Sequence, residues 1–217
     1  MMSAAPRFWP LHDLRLRADR LELRLASYDD LVALAALAHD GIHDPAHMPF
    51  GLPWTDAAPE ERARSTMQWH WHAWANVSPA EWRLPFVVVC DDTVVGTQEL
   101  SARQFAVRRE VSTGSWLGRD HQGRGIGTRM RAAVLHLAFN ELGARWATTS
   151  AYDDNPGSLG VTRRLGYQPD GMDVHDRRGA PATMLRYRLS LAQWEQASRI
   201  EVAVTGVEPC RALLGAD

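Results

Sequence analysis

Long apolar runs are missing from this 217-residue chain, and with them any stretch of membrane-spanning length. The opening MMSAAPRFWPLHDLRLRADR also lacks the apolar heart of a secretory signal, so a cytoplasmic protein with no membrane partner is expected. Cysteine is scarce. Cys90 and Cys210 cannot build a disulfide framework, and Cys90 lies in the apolar run PFVVVC; both read as reduced thiols. An excess of either charge is missing too. Basic residues number 24 against 26 acidic, a net −2, which provides no general field for nucleic acid or anionic membrane. Motifs that interleave aromatic and basic residues for base stacking are also absent, so an RNA-binding role is set aside. Any anion site must therefore be local. No repeat, low-complexity tract or Gly/Ser/Pro-rich linker divides the chain. What is plentiful is tryptophan: nine in all, with Trp69, Trp71, Trp74 and Trp82 in one short region.

RLELRLAS (20–27) alternates leucine with polar residues as a half-buried strand does. Ser27 is placed to cap a helix over YDDLVALAALAHD, with Asp29 and Asp30 at its positive end. Three prolines and two glycines make 41–54 a loop, and a second helix is expected over 59–75, with Met67, Trp71 and Trp74 at helical spacing. The period then shortens. LPFVVVCDD, TVVGTQELSARQ and REVSTGSWLG read as strands, the first two joined by a tight turn at Asp91-Asp92. A helix follows from about Ile126 to Leu142, ended by Gly143. Then come a strand (144–152), a short helix from Pro156 to Leu165 stopped by Gly166, two strands joined around Gly179, and a helical turn or two at LAQWEQAS. The expected order is βααβββαβαββ: an α/β (α+β) fold with one central twisted mixed sheet flanked by helices. The expected division is an N-terminal extension (1–17), a single domain (18–198) and a loosely held tail (199–217).

The informative stretch is HQGRGIGTRMRAAVLHLAF, where Gly123, Gly125 and Gly127 lead straight into a helix. A dinucleotide loop would need a third glycine where Thr128 stands, and the strands before it read as antiparallel. A nucleotide P-loop would need Gly-Lys-Ser/Thr, and the chain has Gly-Thr-Arg. A merely flexible turn would not require three glycines. The remaining reading is a diphosphate cradle. Amides at a helix start have no partner inside the helix, the dipole is positive there, and glycine lets an anion approach. Arg124 and Arg129 can add charge and Thr128 a hydroxyl. Ile126, Met130, Ala133, Val134 and Leu137 form one apolar face of the helix, and Leu135, Phe139 and Leu142 a second, leaving Arg129, His136 and Asn140 to water.

Gln122-Gly123-Arg124-Gly125-Ile126-Gly127 resembles Q/R-x-x-G-x-G/A, the coenzyme A loop of the GNAT superfamily of CoA-dependent N-acyltransferases. About thirty residues later NPGSLGVTRRLGYQPDG resembles a second segment of the RimJ/RimL-like branch, matched at Asn155, Ser158, Leu165, Gly166, Tyr167 and Gly171. The likeness extends over about residues 18–197, with an actinobacterial flavour, and includes the order of elements. It implies an acyltransferase using acetyl-CoA or another acyl-CoA, succinyl-CoA included, with a primary amine as acceptor: a protein N-terminus, a lysine or a small amine. It also implies that the glycines hold CoA, that backbone near Trp116, Leu117 and Gly118 pairs with the pantetheine arm, and that an amide there polarises the thioester carbonyl. Asn155 would bond the cofactor; it is equally suited to cap the helix at Pro156. A homodimer is the habit of that branch.

Direct attack needs a neutral amine, and both the amine proton and the departing thiolate need partners. Many relatives place a tyrosine four residues after the position of Ser158. Here that residue is Thr162. Ser158 is the substitute candidate, with helix packing as its alternative role. Glu110, which shares strand parity with Ser112, Gly114 and Trp116, and Glu99 on the neighbouring strand are candidate bases acting through water; either could instead be an exposed strand carboxylate. Asp153 and Asp154 would attract a cationic acceptor or shape a turn. His43, Asp44 and His47 lack a fixed ligand geometry, so no metal is expected, and their loop is expected to line the acceptor pocket with Met48, Phe50 and Trp54. His70 and His72 read as surface or packing residues. The competing function is a CoA-binding regulatory module that keeps the fold without turnover.

Overall fold

The structure is a computed structural model that describes residues 8–196 and 200–217. Strands β1 (Arg15–Ala18) and β2 (Leu21–Arg24) lead into α1 (Tyr28–Asp40), with Leu21 and Leu23 buried as their alternation requires. Ser27 caps α1 as expected: its hydroxyl accepts from the Asp30 amide at 3.1 Å, and the Asp30 carboxylate accepts from the Ser27 amide at 2.9 Å. Helix α2 (Pro59–Ala75) follows the loop, then β3 (Glu81–Cys90) and β4 (Thr93–Arg103). Asp91 and Asp92 both take positive φ, the left-handed pair a two-residue hairpin needs. A single turn, α3 (Phe105–Arg108), precedes β5 (Glu110–Leu117). Next come α4 (Ile126–His136), β6 (Trp146–Tyr152), α5 (Pro156–Arg164), β7 (Gln168–Arg177), β8 (Ala180–Ser190) and α6 (Leu191–Gln196). The helix expected to reach Leu142 relaxes into a π turn over Leu137–Glu141 before Gly143.

The expected mixed sheet is present, with nine strands among the described residues in the order β7-β8-β6-β5-β4-β3-β2-β1-β9, where β9 is the short strand Ala203–Thr205. Adjacent residues of β3 face opposite sides. Val87 and Val89 pack with Leu31, Met67 and Trp74, while Phe86 and Val88 share a core with Met130 and Val134 of α4. Both apolar faces expected of α4 are buried. On α2 Met67 and Trp74 pack inward beside the buried Thr66, His70 and Ala73, whereas Trp71, read at the same spacing, is exposed.

Both ends of the chain correct the sequence reading. The segment expected as a loosely held tail forms β9 (Ala203–Thr205), paired with β1, and α7 (Arg211–Leu214). Cys210 and Leu214 are fully buried, and the Leu214 carbonyl accepts from the Trp82 indole at 2.9 Å. Burial pushes the Cys210 thiol up to about 11, and neither cysteine is bonded to the other. The expected N-terminal extension supplies β1 and the buried Leu11, Leu14 and Leu16. These strands are too short to show a period, and β1 and β9 meet from opposite ends of the chain. Residues 1–7 and the 198/199 boundary lie outside the described residues.

His70 has both ring nitrogens buried without a partner among the described residues, edge-on to Trp74 at 5.8 Å. Burial pushes its pKa down to about 4. The unfolded chain would titrate near 6.5, so it binds the proton more readily, and stability present above pH 6.5 is lost as pH falls through 4, by about 3 kcal/mol in all. Urea midpoints should therefore drop between pH 7 and pH 4.5, and His70→Leu should flatten that drop. An unchanged slope in the variant would contradict the assignment.

Candidate active site

The mouth of α4 is built from glycine. Gly125 is its N-cap at φ 76° and ψ −2°, and Gly123 has φ 73°. Those angles are natural for glycine and strained for β-branched residues. The amides at a helix start have no intrahelical acceptor, and among the described residues no side chain caps these. Gly127 lets α5 come close: a Cβ there would meet Val161 at 3.4 Å. Gln122 is a strap, its Nε2 donating to the carbonyls of Ile42 at 2.8 Å and Leu117 at 2.9 Å. Arg129 is committed elsewhere, to Asp19 at 2.9 Å and the Arg124 carbonyl at 3.3 Å, and Arg124 lies outside the cleft lining. Instead Arg164, at the end of α5, lines the cleft and reaches the Thr128 hydroxyl at 3.5 Å. Its position on the same face as Val161 and Gly160 was the unused signal.

From this mouth a cleft of about 900 Å³ runs into the sheet. The one parallel junction among the described residues, β5 with β6, holds for three residue pairs, Glu110–Ser112 against Trp146–Thr148. Beyond it the ladder stops, and the Thr149 hydroxyl donates to the Thr113 carbonyl at 3.3 Å where the strands part. Trp116 and Leu117 line the opening. Gly118 does not. Its amide is spent on the Val95 carbonyl at 2.9 Å, and a Cβ there would meet the Leu37 side chain at 3.0 Å. Asn155 caps α5, its Oδ1 accepting from the Ser158 amide at 3.1 Å, and also lines the cleft. Ser158 lines it too, and its hydroxyl makes no hydrogen bond among the described residues.

A second cavity of about 420 Å³ holds Glu99 and Glu110 and shares Thr113 and Gly114 with the main cleft. Both oxygens of Glu110 are engaged, by Arg108 and by Arg188 at 3.1 Å. Glu99 gives one oxygen to Arg83 at 3.0 Å, keeps the other, and sits in register with Gly114.

The far end of the cleft is aromatic and amphoteric. Ring contacts run from His43 to Phe50 (5.7 Å), on to Trp54 (5.4 Å) and to Trp116 (5.9 Å). Phe50 lines the cleft as expected, whereas Met48 is buried against Thr55. His43 bonds the Thr55 hydroxyl at 2.7 Å and Asp44 accepts from the Ala46 amide at 2.9 Å, so both shape the loop. Among the described residues no cluster of three or more His, Cys, Asp or Glu could hold a metal. Asp154 is doubly bonded to Arg177 at 2.8 and 2.7 Å, which holds its carboxyl below the usual range. Asp173, His175 and Arg186 face the cleft from β7 and β8; their strand alternation alone does not distinguish them from solvated edge residues. Arg131 of α4 is buried in the cleft wall against Thr162.

A profile of the acetyltransferase (GNAT) domain matches residues 20–168. Among similar solved structures, Mycobacterium smegmatis RimJ in complex with CoA-disulfide is 19% identical at a TM-score of 0.71, covering 93% of this chain and 94% of that one. RimL, a ribosomal L7/L12 α-N-protein acetyltransferase in complex with coenzyme A, is 19% identical at 0.63, covering 80% of this chain and 95% of its own. A GNAT-family acetyltransferase from Bacillus anthracis is 14% identical at 0.66, covering 82% and 99%. At such identities the likeness is one of fold.

Proposed function

The chain belongs to the GNAT acetyltransferase family, and on that premise we propose that it moves an acyl group, acetyl by default, from acyl-CoA to the α-amino group of a protein N-terminus. The observation that carries this reading is the glycine turn at α4 opening directly onto the gap between β5 and β6. The unpaired amides around Gly125 and Ile126 would take the diphosphate, with Arg164 beside them. The β5 backbone where Trp116 and Leu117 line the cleft would pair with the pantetheine arm, and Asn155 would bond it while capping α5. An α-amino group near pKa 8 is about a tenth neutral at pH 7, far more than a lysine, and the open groove under Phe50 and Met184 suits a flexible terminus.

Intact masses of peptides with free or blocked N-termini, after incubation with acetyl-, propionyl- or succinyl-CoA, test the acceptor and the acyl group together. Acylation of lysine alone, or a succinyl preference, would replace the corresponding half of the proposal. Tight CoA binding with no thiol release would favour the regulatory module.

For the amine proton we propose Glu99, through water across Gly114. Glu99→Gln should lower kcat by about 10²-fold. Glu110→Gln, with both oxygens already bound, should stay within about threefold in the same steady-state assay. A reversed order would transfer the role to Glu110.

A further inference from the structure

Arg131 stands in the middle of α4 with 4% of its surface exposed, on a helix whose neighbouring residues Met130, Ala132, Ala133, Val134 and Leu135 are all buried. Among the described residues its hydrogen bond is from Nη1 to the Thr162 hydroxyl at 3.1 Å, and its Nε is buried without an acceptor. No carboxylate pairs with it among the described residues, although other arginines that approach the cleft, such as Arg177 and Arg186, have one. Two further buried hydroxyls, those of Thr113 and Tyr167, lie against each other in the same pocket of polar groups; the Tyr167 phenol faces the guanidinium, and burial pushes its pKa up, which keeps it neutral. Arg131 and Thr113 line the cleft just where β5 leaves β6. Burial disfavours the charge and lowers the guanidinium pKa, but an arginine stays protonated near neutral pH. A buried cation with no counter-ion is costly to hold, and here it faces a ligand cavity. The missing negative charge has a place to come from: the ligand.

Resting on the acyl-transfer reading above, we propose that Arg131 is the charge partner of the sulfur that leaves as the thioester is aminolysed. The amine nitrogen bonds to the carbonyl carbon, the carbon–sulfur bond breaks, and its electron pair departs on sulfur as CoA thiolate. The nitrogen's surplus proton goes to the water-linked base. The guanidinium gives up no proton; it opposes the charge that grows on sulfur, and solvent protonates the thiolate after release. Thr162 aims Nη1, a positioning role its hydroxyl fills while anchored on the Ser158 carbonyl at 2.9 Å.

The test is the titration of the CoA thiol bound to the whole protein, followed by thiolate ultraviolet absorbance against pH. In the wild type the bound thiol should titrate at least about 1 unit below that of free CoA titrated alongside. Arg131→Gln should return it to the free value, and Arg131→Lys should keep part of the shift. Arg131→Gln should also lower kcat with acetyl-CoA by about 10²-fold while leaving KM for acetyl-CoA within about threefold. Should Arg131→Gln not fold, the wild-type titration and Arg131→Lys decide. A bound thiol that titrates like the free one overturns the proposal while leaving CoA binding and acyl transfer intact. Absence of CoA binding would sink the acyl-transfer reading itself and this proposal with it. If Arg131→Gln impairs turnover with succinyl-CoA only, the cation serves a carboxylate on the acyl chain and the thiolate assignment falls.

Discussion

Gly125→Val should bind CoA at least about 10²-fold more weakly than the wild type, a loss of about 3 kcal/mol by calorimetry. Two costs combine. Valine at φ 76° is a backbone outlier worth about 1–3 kcal/mol, and the chain can relieve it only by turning the α4 amides away from their present direction. Its methyl groups would also cover the surface those amides present. Gly125→Asn separates the two, because asparagine tolerates the left-handed region while still projecting a side chain. Its affinity should fall between the other two proteins. Melting temperatures measured alongside show whether folding is affected. A valine variant that is folded and binds CoA as tightly as the parent would remove the cradle from the account.

The second large effect lies far from the cleft. Deleting residues 203–217 should lower Tm by at least about 10 °C or leave the protein insoluble. The deletion strips β9 from β1, empties the sites of Cys210 and Leu214, and leaves the buried Trp82 indole N–H without its acceptor. A buried leucine alone is worth about 2–5 kcal/mol, and an orphaned indole about 1–3 kcal/mol. Together they approach the whole stability of a typical domain, about 5–15 kcal/mol. Leu214→Ala is the milder companion, expected to cost about 3 kcal/mol in urea unfolding. A truncated protein that melts with the full chain would mean that the segment merely rests on the sheet.

The central elements were legible because local chemistry agreed with long-range packing. Ser27 with Asp30 announced a capping box, Asp91-Asp92 a hairpin, and the glycines before Ile126 a helix start with bare backbone. The last two strands at one side of the sheet, β1 and β9, were not. Each has four residues or fewer, and each needs a partner that the other end of the chain supplies. At the site, the sequence could place Trp116, Leu117, Asn155 and Ser158 along the cleft but could not show that Arg129 is turned to Asp19 and Arg164 to Thr128. Arg131 is not legible as a site residue, because helical periodicity assigns an arginine to the outward face. Its neighbours one turn away, Gly127, Thr128, Val134 and Leu135, are small or apolar, and that was the available sign that no watery face existed for it. Glu99 and Glu110 looked alike in sequence; only their guanidinium partners tell them apart.

The borders of the sheet carry one more consequence. One border, β9, is three residues long, and the other, β7, presents Asp170, Asp173, Asp176 and Arg177 and breaks register between Pro169 and Met172. Brief, charged and kinked margins are poor templates for adding a foreign strand. Two copies of this chain, if they pair, would therefore meet through side chains on helical surfaces instead of fusing their sheets into one continuous ribbon.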